Sequence, residues 1–151
     1  MAEYEQLGEA ALGELNALVG HWTIEARPPE GSPWAGGTGQ VDFEWLNEKK
    51  FLIQRWTIDA PEAPDGIAII GAGGRADGLR QHYFDSRGVH RIYDMSLMDG
   101  VWKLWRDDPD PFPQRYVGTF SGDGKTITGR WERADGSNWE IDFDLTYRKV
   151  E

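Results

Sequence analysis

Near the C-terminus Trp139, Ile141, Phe143, Leu145 and Tyr147 alternate with Glu140, Asp142, Asp144 and Thr146. Side chains on a strand point alternately to its two faces, so a period of two predicts one apolar face and one wet face. Val41, Phe43 and Trp45 alternate with polar neighbours in the same way. The pattern recurs from residue 20 almost to the end and predicts strands at about 21–27, 39–46, 50–58, 66–74, 79–85, 89–98, 101–106, 114–121, 125–133 and 138–149. Half-wet sheets of this kind are antiparallel, and about ten strands in sequence predict an all-β, up-and-down antiparallel barrel that closes on itself.

One helix precedes the strands. Leu7, Ala11, Leu15 and Leu18 recur at helical spacing within residues 5–19, and Gly20 supplies the stop. At 151 residues, the reading is a single domain: this helix followed by a barrel over about 20–150.

In a meander, alternate connections lie at the same end of the sheet. The even ones are tight: "NEKK" (47–50), "RADG" (75–78), "MDG" (98–100) and "SGDGK" (121–125). The odd ones include "RPPEGSPWAGGTG" (27–39), "DAPEAPDG" (59–66) and "DDPDPFPQ" (107–114), which together hold all eight prolines. "DSRG" (85–88) and "RADGSN" (133–138) are shorter. One end is thus expected to be pinched shut and capped by the helix, and the other to carry long, proline-stiffened loops.

Composition excludes several functions. A net charge of −10, with basic residues scattered, opposes nucleic acid and anionic lipid as partners. The absence of cysteine removes disulfides, thiolate nucleophiles and zinc–thiolate sites. No apolar run approaches the ~20 residues of a membrane span, and the acidic start lacks the features of a secretory signal, so a cytoplasmic protein is expected.

Gly20-His21-Trp22, a Gly-x-Trp after a short helix and at the start of the first strand, resembles the calycin superfamily of lipocalin, fatty-acid-binding and nitrobindin-like barrels. "TYRKV" (146–150), "YFDSRGVHRIYDMSL" (83–97) and "GTFSGDGKTITGRW" (118–131) extend the likeness to bacterial calycin-like proteins along nearly the whole chain. The resemblance implies that Arg148 packs across Trp22 to close the bottom of the barrel. Nitrobindin-type members bind haem through a histidine near the C-terminus, but here no histidine follows His90. That ligand does not carry over, and haem would need His82, His90 or another axial group. No cofactor is expected.

Strand direction places Trp56, Tyr83, Arg91, Arg115, Trp131 and Trp139 toward the loop-rich end, with Trp34 and Phe112 on the loops above. Arg91 and Tyr93 share the more apolar face of their strand and resemble the Arg-x-Tyr carboxylate anchor of fatty-acid-binding proteins. His82 and His90 flank the "DSRG" turn. A three-residue loop with Gly88 as a bulge puts them on one face with Asp94; a two-residue turn separates them. Surface placement is the default for both, and no metal site is expected. There is no Gly-x-Ser-x-Gly turn, and Gly71-Ala72-Gly73-Gly74 precedes a strand rather than a phosphate-binding helix.

The expected function is binding of an apolar or amphipathic small molecule by Trp34, Trp56, Tyr83, Arg91, Tyr93, Arg115, Trp131 and Trp139, by a monomer or homodimer. The first alternative is an isomerase-, cyclase- or hydratase-like enzyme with His82 or Tyr83 as acid/base. The second is a packed barrel whose loop tips bind a protein.

Overall fold

A computed structural model describes residues 11–61, 63–72, 78–106 and 113–150. It is a closed antiparallel barrel of ten strands in meander order. These are β1 (Gly20–Arg27), β2 (Gly37–Trp45), β3 (Leu52–Ile58), β4 (Gly66–Gly71), β5 (Leu79–Asp85), β6 (His90–Met98), β7 (Val101–Arg106), β8 (Gln114–Phe120), β9 (Thr126–Asp135) and β10 (Asn138–Val150). Closure comes from β1 pairing with β10, with His21 opposite Val150 and Arg27 opposite Asp144. Among the described residues no sheet edge is left to recruit another chain. Among the described residues no helix is long and apolar enough to cross a membrane.

The expected helix is described from residue 11. A helical turn at 11–14 tightens into a 3-10 turn at Leu15–Ala17, where Leu18 N–H donates to the Leu15 carbonyl at 2.9 Å. Residues 5–10, the end of the strand predicted at 66–74, most of the "RADG" turn and most of the "DDPDPFPQ" connection, Phe112 included, lie outside the described residues.

Leu12, Leu15 and Leu18 are buried against the barrel at the end where β1 begins. Two indoles tie this plug down. Trp22 Nε1 donates to the Leu18 carbonyl at 2.8 Å, and Trp45 Nε1 donates to Asn16 Oδ1 at 2.9 Å. Trp22 meets Phe120 and Tyr147 edge-on at 6.4 and 6.3 Å, so its N–H is satisfied and its rings are packed on both sides.

The cation over Trp22 is not Arg148. Trp22 faces Lys149 across the β1–β10 ladder, and the Lys149 ammonium lies 5.5 Å from the indole centroid. Arg148 is opposite Thr23, exposed on the outer wall. A one-residue change of position on a strand reverses the face, and that alone moves the closing role from Arg148 to Lys149. Gly20 belongs to this closure. Its φ of +130° favours glycine, and a Cβ there would come within 3.1 Å of Lys149 Cε.

The "GTFSGDGKTITGRW" hairpin contains a second close approach. Gly118 and Gly129 face each other across β8 and β9, and a Cβ on either would reach the Tyr116 hydroxyl at 2.5 or 2.2 Å. The two glycines make the space that the fully buried Tyr116 ring fills.

A candidate ligand-binding cavity at the loop-rich end

Above this packed floor the barrel holds a cavity of about 510 Å³ that opens toward the odd-numbered connections. Pro33 and Trp34 come from the β1–β2 connection, Ala63 and Pro64 from β3–β4, and Arg87 from the β5–β6 turn. Trp102, near the start of β7, lies at the lower end with Val41 and Tyr147. Trp34 meets Phe143 edge-on at 5.6 Å, whereas Trp56 and Tyr83 lie at 5.4 Å, tilted by 30°. Tyr93 and Tyr116 both pack on Trp131, at 5.5 and 5.2 Å.

Trp34, Trp56, Tyr83, Arg91, Tyr93 and Trp131 line this cavity. Arg115 and Trp139 do not. In β8 the inward residues are Gln114, Tyr116 and Gly118, so Arg115 points outward and bonds Glu132 through Nε at 2.8 Å. Its guanidinium covers the Trp139 ring at 4.1 Å. Trp139 reaches the outer wall because the register of β10 against β9 shifts between Ile141 and Phe143. A bulge adds one residue, so the alternation reverses across it. Phe143, Leu145 and Tyr147 face inward as expected, Ile141 is exposed, and Asp142 turns to the cavity.

Six polar lining residues carry no role in the sequence analysis: Gln54, Gln81, Arg87, Gln114, Arg133 and Asp142. Five had a signal. Gln54, Gln81, Gln114 and Arg133 each sit two residues from an inward aromatic, at Trp56, Tyr83, Tyr116 and Trp131, and so share its face. Arg87 belongs to the turn at the expected mouth. Asp142 had none, because its orientation depends on the bulge.

Two polar networks order the mouth. In the first, buried Asp85 accepts from the Tyr83 hydroxyl at 2.5 Å, the Arg87 backbone N–H at 2.9 Å and Arg87 Nη2 at 2.7 Å. Burial alone would raise the Asp85 pKa, but the bonds from Arg87 and Tyr83 outweigh it and hold the carboxyl well below the usual carboxylate range. Tyr83 moves oppositely, pushed up first by burial and then by donating to Asp85. In the second network Gln114 Oε1 accepts from Tyr93 at 2.7 Å and from Arg91 Nη1 at 3.4 Å. Asp142 lies near Arg133 and Arg91; burial raises its pKa, and these two cations partly offset the rise.

The histidines lie outside. Gly88 N–H donates to the Asp85 carbonyl at 2.9 Å and Phe84 pairs with His90, which makes a three-residue turn and puts His82 and His90 on one face. It is the outer face: the His90 ring stacks on exposed Phe84 at 4.6 Å and near His82 at 5.8 Å. His82 therefore cannot act as an acid or base inside the cavity. Tyr83 does line it, but its raised pKa and its bond to Asp85 keep the phenol protonated and unsuited to act as a base. His21 pairs with Asp42, also outside. No group of three metal-ligating side chains occurs among the described residues.

Haem does not fit this donor set. Among the described residues the lining contains no histidine, cysteine or methionine. Tyrosine is the haem-ligating type present, but the hydroxyls of Tyr83 and Tyr93 are bonded to Asp85 and Gln114, and burial pushes the pKa values of these two and of Tyr147 up, away from a phenolate.

No family model and no curated protein sequence matches the chain. Among solved structures, the crystal structure of Rv2717c from M. tuberculosis superposes with a TM-score of 0.66 at 15% identity, covering 93% of this chain and 98% of that one. At that identity the likeness is one of fold: this chain has the barrel architecture of Rv2717c over nearly the full length of both.

Proposed function

We propose that this protein is a calycin-like barrel that binds an apolar or amphipathic small molecule through its loop-rich end. The supporting observation is the cavity of about 510 Å³, walled largely by aromatic and aliphatic side chains, with two ordered polar networks at its mouth. Cavities of a few hundred Å³ with such linings suit small organic ligands. Burial of apolar ligand surface supplies the affinity, at about 25 cal/mol per Å². Arg91, hydrogen-bonded to Gln114 beside Tyr93, orients a polar head. No covalent chemistry is required. A barrel packed solid, with function confined to loop tips that bind a protein, does not accord with a void of this size.

The test is titration of the protein with a saturated fatty acid, a polycyclic aromatic acid and haem, followed by tryptophan fluorescence and thermal unfolding. An organic acid should quench with saturation, and at 100 times its Kd it should stabilise the fold by about 2.7 kcal/mol. Failure of both organic acids to bind, with Trp131→Ala indistinguishable from the parent protein in every titration, would refute the reading.

A further inference from the structure

Among the described residues, the charged groups in the cavity lining are Arg87, Arg91, Arg133 and Asp142. All four are near the mouth. Arg87 is in the β5–β6 turn, and Arg91 is the second residue of β6, which starts at the open end. Arg133 is close to the open end of β9, and Asp142 is in the half of β10 that starts there. Below them the polar lining is uncharged, with Gln54 and Gln81 as its deep amides.

The mouth is also unequal from side to side. Its β1–β5 side presents Trp34, Trp56 and Tyr83, with Arg87 already matched by buried Asp85. Its β6–β10 side presents Arg91, Gln114, Arg133 and Asp142. Gln114 lies directly opposite Arg133 in the β8–β9 ladder and accepts from Arg91, so the two guanidinium-bearing residues flank one amide. Glu140, at 3.9 Å from Arg133, is half-exposed and screened by solvent. Arg106, the last residue of β7, pairs with Gln114 at this same end, its guanidinium 5.6 Å from the Tyr93 ring.

We infer that the ligand is a monoanion with an aromatic body that enters body first and keeps its acidic head at the mouth, between Arg91 and Arg133. This rests on the small-molecule reading and adds an orientation to it. The uncharged lining below the mouth gives a buried anion no partner, and an unpaired charge there is strongly disfavoured. Guanidinium groups at the rim bind carboxylate or sulfonate while part of the head stays hydrated. Eight of the described lining side chains are aromatic, and rings stacked edge-to-face or offset against them gain more than their buried area alone supplies. A head held at the rim also tolerates extension. The ligand class therefore includes conjugates whose acid is carried beyond a short amide linker.

Three probes test this on the intact protein: pyrene-1-butyrate, its taurine amide, which moves the anion outward as a sulfonate, and its uncharged methyl ester. The butyrate and the taurine amide should bind within about 3-fold of each other, with the ester about 10-fold weaker, as loss of a charge-assisted contact implies. In Arg91→Met/Arg133→Met both anions should fall to the ester's level while the ester is unchanged. A taurine amide that binds at least about 30-fold more weakly than the butyrate overturns the head-out orientation, because only a buried head excludes it on this scale. Equal binding of ester and butyrate overturns the anion preference. If none of the three binds while the saturated fatty acid does, the aromatic body is overturned and the small-molecule reading stands; if the fatty acid fails as well, the small-molecule reading itself fails. The comparison among probes on the unmodified protein holds whatever the double variant does to folding.

Discussion

The two ends of this barrel use the same residue type for opposite purposes. At the closed end Trp22 is 1% exposed, its N–H is bonded to the helix, and aromatic rings meet it on two sides. At the open end Trp34 and Trp56 are only partly buried, and each presents surface to a void. Burial of the first set is complete within the chain, whereas part of the second set's apolar surface is left for something else to cover. An aromatic-rich β-protein is thus not evidence of binding by itself. What distinguishes a wall from a core is whether the neighbouring element, here the helix plug, has arrived to cover the ring.

This contrast can be broken most directly by truncation at each end. Trp22→Ala should cost about 3–5 kcal/mol, since it opens a cavity and removes a satisfied indole, whereas Trp34→Ala should cost about 1 kcal/mol or less. Urea unfolding midpoints of the two variants compare them, and equal losses would erase the distinction between core and wall. Next in size is Gly129→Ala. Its methyl group would meet the Tyr116 hydroxyl at 2.2 Å, so overpacking should cost about 1–3 kcal/mol by the same assay.

The mouth contributes to stability through Asp85. Its pKa is depressed in the folded protein, so the unfolded chain takes up this proton first as pH falls. That contribution is complete above the ordinary carboxylate range, near pH 4, and is lost as acid approaches the folded value. Arg87→Ala should cost about 1–3 kcal/mol at pH 7 by removing one partner of a buried carboxylate, and its unfolding should depend less on pH between 5 and 3 than the parent's does. A thermal melt series across that range reads both effects.

The smallest expected difference separates neighbours. Lys149→Ala should lose about 0.5–1 kcal/mol of cation–π and stem packing over Trp22, while Arg148→Ala stays within about 0.5 kcal/mol of the parent. Chemical denaturation of the pair resolves this, and a larger loss at Arg148 would restore the closing role to it.

Much of the arrangement was legible because a period of two is a strong local signal. It marked the strands, and counting alternate connections separated the pinched end from the proline-rich one. It also put Arg91 with Tyr93 and both inside. Where position along a strand was used without parity, placement failed: Arg115 and Arg148 are each one residue from an inward side chain, and each faces solvent. Gln54, Gln81, Gln114 and Arg133 could have been found by applying parity to the aromatics beside them. Trp139 is a different case, since its strand alternates without interruption in sequence and reverses only where β10 slips against β9.

The sequence alone therefore determined the number and nature of the strands, the end at which the helix lies and the end at which the long loops gather, because these follow from alternation and turn chemistry within short stretches. Tertiary structure alone decided three matters: that the interior stays open above Trp102, that Lys149 rather than Arg148 covers Trp22, and that Asp142 rather than Trp139 faces the cavity. Each depends on how one strand registers against another, or on how side chains from strands distant in sequence fill a shared volume, and neither quantity is encoded in any single segment of the chain.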